Sequence, residues 1–189
     1  MAKSGTGERG IFNRGGLEKQ VPQRRWEKLK DAIQPGVNPC GEIYLQSKQF
    51  CNLTSIVVRP KDDTDSLKRK MRLATLLGTY QATLTNFEYL SKKWKENCED
   101  EQLLGVSITG YYDNALVRSD EMLEQLRQEA IETNKTYAKR FGKNPSTAIT
   151  CVKPHGNSGQ LLGVGSGMHP WFSPYFIRRV RISPWLTIS

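Results

Sequence analysis

Asn38, Cys40 and Glu42 bring an amide, a thiol and a carboxylate within one short stretch, and Cys51 follows eleven residues after Cys40. Pro39 and Gly41 separate them. Proline fixes its own φ and pushes Asn38 toward an extended conformation, while glycine permits a sharp bend. The group is therefore expected on a constrained turn. Cys40 and Glu42 are two apart, so an extended segment points both to one side. A nearby negative charge disfavours a thiolate, which makes this a poor nucleophile pair. It suits chemistry in which sulfur exchanges a hydrogen atom and the carboxylate moves a proton. Taken locally, the same residues also describe a plain turn with a small core cysteine and a solvated glutamate.

A second stretch has a different character. Lys153-Pro154-His155-Gly156-Asn157-Ser158-Gly159 is a glycine-containing loop, and backbone N–H groups in such a turn ahead of a helix form an anion site. Cys98 and Cys151 read as structural thiols, and His169 as a structural hydrogen-bonder. No CxxC pair occurs and the two histidines are fourteen apart, which argues against a zinc site. The net charge of +9 invites a nucleic-acid reading, but the basic residues are dispersed and no binding motif accompanies them. Polymeric nucleic acid is not expected. A small phosphorylated substrate accounts for some of the basic excess.

Around these stretches the chain alternates. A helix is expected over 15–32, interrupted or started at Pro22, followed by a turn at 34–36. Residues 42–45 and 52–58 are β-rich arms, so 38–57 reads as one long hairpin with a cysteine near each end. A helix capped at Thr64 or Asp65 follows, with an apolar stripe at Leu67, Met71, Ala74, Leu77, Leu84, Phe87 and Leu90. Residues 92–102 read as a charged connection and 103–108 as a strand. A second long helix, capped at Ser119 or Asp120, carries Leu123, Leu126, Ala130, Tyr137 and Phe141 and ends at Gly142. Strands are expected at 147–152 and 175–182. This rhythm argues for an α/β fold with parallel strands and crossover helices. No apolar run is long enough to cross a membrane and the first residues are not signal-like, so a cytoplasmic protein with no membrane partner is expected.

Residues 38–43 (NPCGEI) and 50–56 (FCNLTSI), with 4–14 (SGTGERGIFNR), 104–110 (LGVSITG) and 147–170 (TAITCVKPHGNSGQLLGVGSGMHP) in order, resemble the active-site segments of ribonucleotide reductases. The spacing of eleven between the cysteines is closest to the adenosylcobalamin-dependent (class II) branch, and the Lys-Pro-x-Gly and Ser-Gly-Met-His-Pro stretches to its triphosphate enzymes. The family-like pattern covers residues 3–182, and 183–189 form a divergent tail. Residues 1–189 are then a single segment of the catalytic core.

The resemblance implies part of a ten-stranded α/β barrel with a central finger loop, incomplete in this chain. It implies that Cys40 becomes a thiyl radical, that Glu42 is the general base for the ribose 3′ hydroxyl, and that Asn38 orients the substrate hydroxyls. Cys51 matches one half of the redox-active pair, whose partner is expected from a strand N-terminal to Ser4. Pro154, His155, Gly156, Asn157 and Ser158 match the substrate-phosphate loop, although the family usually has serine where His155 stands and often serine at Gly159. Implied partners are adenosylcobalamin, a ribonucleoside triphosphate (or diphosphate), a thioredoxin-type or dithiol reductant, and the N-terminal portion of the same reductase. The alternatives are an inactive interaction fragment that docks on a complementary chain and, further off, a basic nucleic-acid-binding module.

Overall fold

The structure is a computed structural model, and it describes residues 10–32, 35–177, 179 and 181. Most of the 4–14 motif, the end of the expected last strand and the divergent tail lie outside the described residues. The described part is α/β: two small two-stranded sheets among helices. No described helix is long and apolar enough to cross a membrane.

The N-terminal helix breaks where proline predicts. Helix α1 spans Leu17–Gln20, and α2 spans Gln23–Leu29 with Pro22 at its N-cap position. Strand β1 (Gly36–Val37) pairs antiparallel with β2 (Tyr44–Leu45), Gly36 opposite Leu45. The hairpin is thus short and ends before residue 46, which corrects the long hairpin expected over 38–57. Its expected return arm is β3 (Asn52–Val57), which pairs parallel with β4 (Leu104–Thr109), Asn52 opposite Leu104. The long helix between them makes the parallel crossover available, and six consecutive ladder pairs decide the contest.

Helix α3 spans Thr64–Ala82 and is capped one residue earlier than expected. The Asp63 carboxylate accepts from the Ser66 N–H (2.8 Å) while Ser66 Oγ accepts from the Asp63 N–H (3.0 Å), a reciprocal box. The apolar stripe holds at Leu67, Met71 and Ala74 but not beyond. Leu77 and Leu84 are 63% and 60% exposed, and the core contacts pass to Thr75, Gly78, Thr79 and Ala82. Gly78 lets the helix approach the sheet: a Cβ there would already sit 3.4 Å from Thr54 Oγ1.

The charged stretch expected as a connection is helix α4 (Lys92–Glu101), closed by Gln102 in the left-handed region. Helix α5 (Asp120–Arg140) is capped by Ser119, whose hydroxyl accepts from the Met122 N–H at 3.2 Å. Residues 147–152 form no regular strand. They lie beside β4 through a single bridge, Val106 to Thr150, and through bonds such as Val106 N–H to the Ile149 carbonyl (2.8 Å). A four-residue helix, α6 (Ser158–Leu161), follows. Residues 175–177 form no strand.

Alternation sorts the β3–β4 pair into two faces. Ile56, Leu104, Val106 and Ile108 face α3 and α5, where they pack with Leu67, Met71, Met122, Leu126 and Ala130 in one core. Cys51, just ahead of β3, and Leu53, Ser55, Gly105, Ser107 and Thr109 fall on the opposite face.

Candidate functional site

The first element of the site is the hairpin tip. Asn38 closes it twice. Its backbone carbonyl accepts from the Gly41 N–H (2.9 Å), with Pro39 in the second turn position, and its side-chain oxygen accepts from the Ile43 N–H (3.0 Å). Gly41 has φ +81°, a conformation other residues rarely adopt. This raises the Cys40 thiol to an exposed position. Glu42 turns back toward the sheet. Its Oε2 is buried and, among the described residues, has no hydrogen-bond partner. A buried carboxylate oxygen without a donor costs free energy, so it is the natural point for an incoming hydroxyl.

The second element is the polar face of the sheet. Cys51 is half-buried, and burial, with Glu42 next in importance, pushes its thiol up to about 11 against an offsetting pull from Arg25 and Lys153. Cys151, also half-buried, is pushed up to about 12 by burial, then by Cys51 and Glu42. Both sulfurs are therefore S–H groups at neutral pH, fit to give hydrogen atoms and unfit as thiolate nucleophiles. Gly105 makes the room for this. A Cβ there would lie 2.5 Å from Leu53 Cδ2 and 3.1 Å from Cys151 Sγ.

The third element is the 153–159 loop. The Lys153 N–H donates to Ser107 Oγ (3.0 Å), which fixes the loop to the end of β4. His155, 4% exposed and at φ +52°, turns its ring inward. Nε2 lies 3.0 Å from Ser55 Oγ and Nδ1 2.9 Å from Ser158 Oγ. Burial, then Lys153, holds its pKa below the usual histidine range, with Glu42 pulling the other way. Gly156, Asn157 and Ser158 form the exposed rim, and Pro154 is half-buried behind it. Gly159 is tight: a Cβ would meet Thr109 Oγ1 at 3.0 Å and the Gly165 carbonyl at 3.1 Å, so any side chain there would make its neighbours shift.

The structure thus gathers Glu42, Cys51, His155, Lys153 and the unexpected Cys151 around one face, while Cys40 stands apart on the tip. A buried cluster beneath it escaped the sequence reading. Arg25 of α2 and Glu101 of α4 form an ion pair at 3.0 Å, 3% and 0% exposed. Glu101 also accepts from Gln46 (3.0 Å), Gln49 (2.6 Å) and Thr147 (2.8 Å). Partners so far apart in sequence leave no local signal. Among the described residues, no three His, Cys, Asp or Glu side chains are placed to hold a metal ion.

No family model matches the sequence. The chain is similar to the adenosylcobalamin-dependent ribonucleoside-triphosphate reductase of Lactobacillus acidophilus, 27% identical over 91% of this chain and 28% of that protein. It is similar to the enzyme of the same name from Lactobacillus gasseri, 28% identical over 93% of this chain and 27% of that one. Among solved structures it resembles a B12-dependent (class II) ribonucleotide reductase with TM-score 0.61 and 24% identity, over 75% of this chain and 23% of that one. The chain spans less than a third of the length of these relatives.

Proposed function

For a chain related over most of its length to the adenosylcobalamin-dependent ribonucleotide reductases, we propose a role as one segment of a catalytic α/β barrel that reduces ribonucleotides to 2′-deoxyribonucleotides. The observation that carries this reading is the tip itself: an exposed thiol two residues from a carboxylate whose buried oxygen lacks a donor. The Cys40 sulfur, as a radical, takes the hydrogen atom from the ribose 3′ carbon. Glu42 Oε2 accepts the 3′ hydroxyl proton. The Asn38 oxygen is committed to Ile43, so its NH2 group meets the substrate. The 2′ hydroxyl leaves as water, and Cys51 and a partner thiol supply two hydrogens and pair as a disulfide. The Cys40 thiol then returns its hydrogen to the 3′ carbon and is a radical again, and Glu42 gives the 3′ hydroxyl its proton back.

The residues present fit the end of the cofactor that meets the protein thiol, since Cys40 is exposed and the space a side chain would take at Gly41 is open. When bound, adenosylcobalamin supplies the radical that activates this sulfur. The exposed N–H groups at 156–158 and the Lys153 ammonium meet the phosphates of a ribonucleoside triphosphate or diphosphate. His155 serves that loop from behind, because Ser55 and Ser158 engage both its ring nitrogens. A thioredoxin-type or small dithiol reductant restores the thiols.

Radical chemistry needs exclusion of water, and Cys40 is open to it within this chain. Leu73, Leu77, Tyr80 and Leu84 also stand 50–63% exposed along and just after α3. Both features favour assembly with the N-terminal portion of a reductase, which would complete the barrel and the cysteine pair. The test combines this chain with that portion, adenosylcobalamin, a ribonucleoside triphosphate and dithiothreitol. Deoxynucleotide is expected from the pair, none from either part alone, and none with Cys40→Ala. Product that survives Cys40→Ala overturns the reading.

A further inference from the structure

Glu101 breaks two local rules. It is a fully buried carboxylate, and it ends a helix, where the backbone dipole disfavours negative charge. Such a group is tolerated only when its oxygens are fully satisfied, because removing a carboxylate from water is costly. Its four donors come from three places in the chain. Arg25 arrives from α2, Gln46 and Gln49 from the bend between β2 and β3, and Thr147 from the segment beside β4.

The bend is the informative partner. It is the connection that separates the Cys40–Glu42 tip from Cys51. Gln49 Oε1 closes it by accepting from the Gln46 N–H (2.9 Å), and Lys48 holds φ +59° inside it. Helix α4 reaches it again through Asn97, whose amide donates to the Ser47 carbonyl (2.8 Å). On the other side of Glu101, Arg25 also donates to the Tyr44 carbonyl in β2. One carboxylate therefore fixes both ends of the stretch that sets where Cys51 stands relative to the tip.

We propose that Glu101 is a positioning residue: through Gln46, Gln49 and Arg25 it holds the bend that spaces Cys51 from the Cys40–Glu42 tip and keeps the Cys51 thiol covered. The importance of that spacing rests on the ribonucleotide-reductase reading, but the positioning is measurable without substrate or cofactor. It also has an electrostatic side. The charged and titratable groups that act on Cys51 are Glu42, Arg25, Lys153 and Cys151. Glu101 neutralises the Arg25 guanidinium, so its loss leaves an unpaired cation near the sulfur.

The four cysteines of the full chain provide the readout. Each is alkylated with iodoacetamide across a pH series and quantified by peptide mass spectrometry, in the native chain, Glu101→Gln and Gln49→Met. Cys51 is expected to react about tenfold faster or more in both variants, with half-buried Cys151 unchanged as the control. Cys98 does not serve as one, because its thiol is hydrogen-bonded to the Phe50 backbone beside the bend and its pKa is raised by burial and in part by Glu101. Cys40, already exposed, does not change. The Cys51 rate profile also moves to lower pH in Glu101→Gln, where Arg25 has lost its counter-charge, and stays in place in Gln49→Met. An unchanged Cys51 overturns the proposal. So does an equal acceleration of Cys51 and Cys151, which would make Glu101 a residue of global stability alone. If Glu101→Gln does not fold, Gln49→Met leaves the buried ion pair intact and decides the question. Failure of the reconstitution with Cys40→Ala as control would sink the functional reading and leave this result untouched.

Discussion

The two faces of the β3–β4 pair are built to opposite specifications. Toward α3 and α5, Ile56, Leu104, Val106 and Ile108 are each 7% exposed or less and pack into one apolar core, with Thr54 as a polar exception on the same side. On the other face, the same two strands present Ser55, Ser107 and Thr109 beside Leu53 and Val57, with Cys51 just ahead of β3 and Gly105 near the start of β4. Strands buried on both sides ordinarily read as near-continuous apolar runs. Here one side forgoes that packing in favour of hydroxyls, thiols and open space. Stability resides with the helices, and the capacity for chemistry resides opposite. The same ladder serves both, so neither face can shift without the other.

The largest way to break this comparison acts on the helix side. Leu126→Ala removes a 1% exposed side chain from the core and is expected to cost about 2–5 kcal/mol in urea denaturation. A much smaller loss would show that the core has slack and that the division of labour is not strict. Next is Gly105→Ala, which places a methyl where Leu53 and Cys151 already meet. It is expected to cost about 1–3 kcal/mol by overpacking and to displace Cys151, read as faster alkylation of that residue. Stability equal to the native chain would mean the polar face is loosely packed.

The mildest perturbation is one of pH. Burial holds the His155 pKa below its unfolded value, so acid adds a proton to the unfolded chain first. The associated stability is present above about pH 6.5, the unfolded value, and is lost as pH falls toward the folded one. The denaturation midpoint of the native chain should therefore drop on the acid side of that value, and His155→Gln should flatten that part of the curve. An unaltered slope would show that the ring is not sequestered.

Much of this was legible because it is local or periodic. The Asn38–Glu42 turn follows from Pro39 and Gly41, and the break at Pro22 and the Ser119 cap follow from single residues. One parallel crossover followed from the strand–helix–strand rhythm. Three misreadings share a cause. Residues 52–57 were expected to fold back on the neighbouring arm, but a longer and better-registered partner lies beyond two helices. The α3 stripe was extended through Leu90, although the helix ends at Ala82 and after Gly78 turns a polar side inward. There Thr79 Oγ1 accepts from buried Asn134 at 3.0 Å. The charged 92–101 stretch hid a helix because its inward-facing residues are Asn97, Cys98 and Glu101, which no apolar pattern marks. What a sequence does not display is a polar group buried by partners distant along the chain.

The register of β3 on β4 also dictates an order of events. Asn52 cannot meet Leu104 until α3 and α4, which lie between them, have been gathered in. Long-range pairing of this kind pays its loop-closure entropy before any ladder bond repays it, and it slows folding. The helices can form from local contacts, whereas the face that carries Cys51 and sits beside Cys151 exists only once this long-range pairing has formed. In a newly made chain these sulfurs are therefore solvent-facing for the whole of the search, and the time spent searching, more than the finished architecture, sets how long they stand open to oxidation.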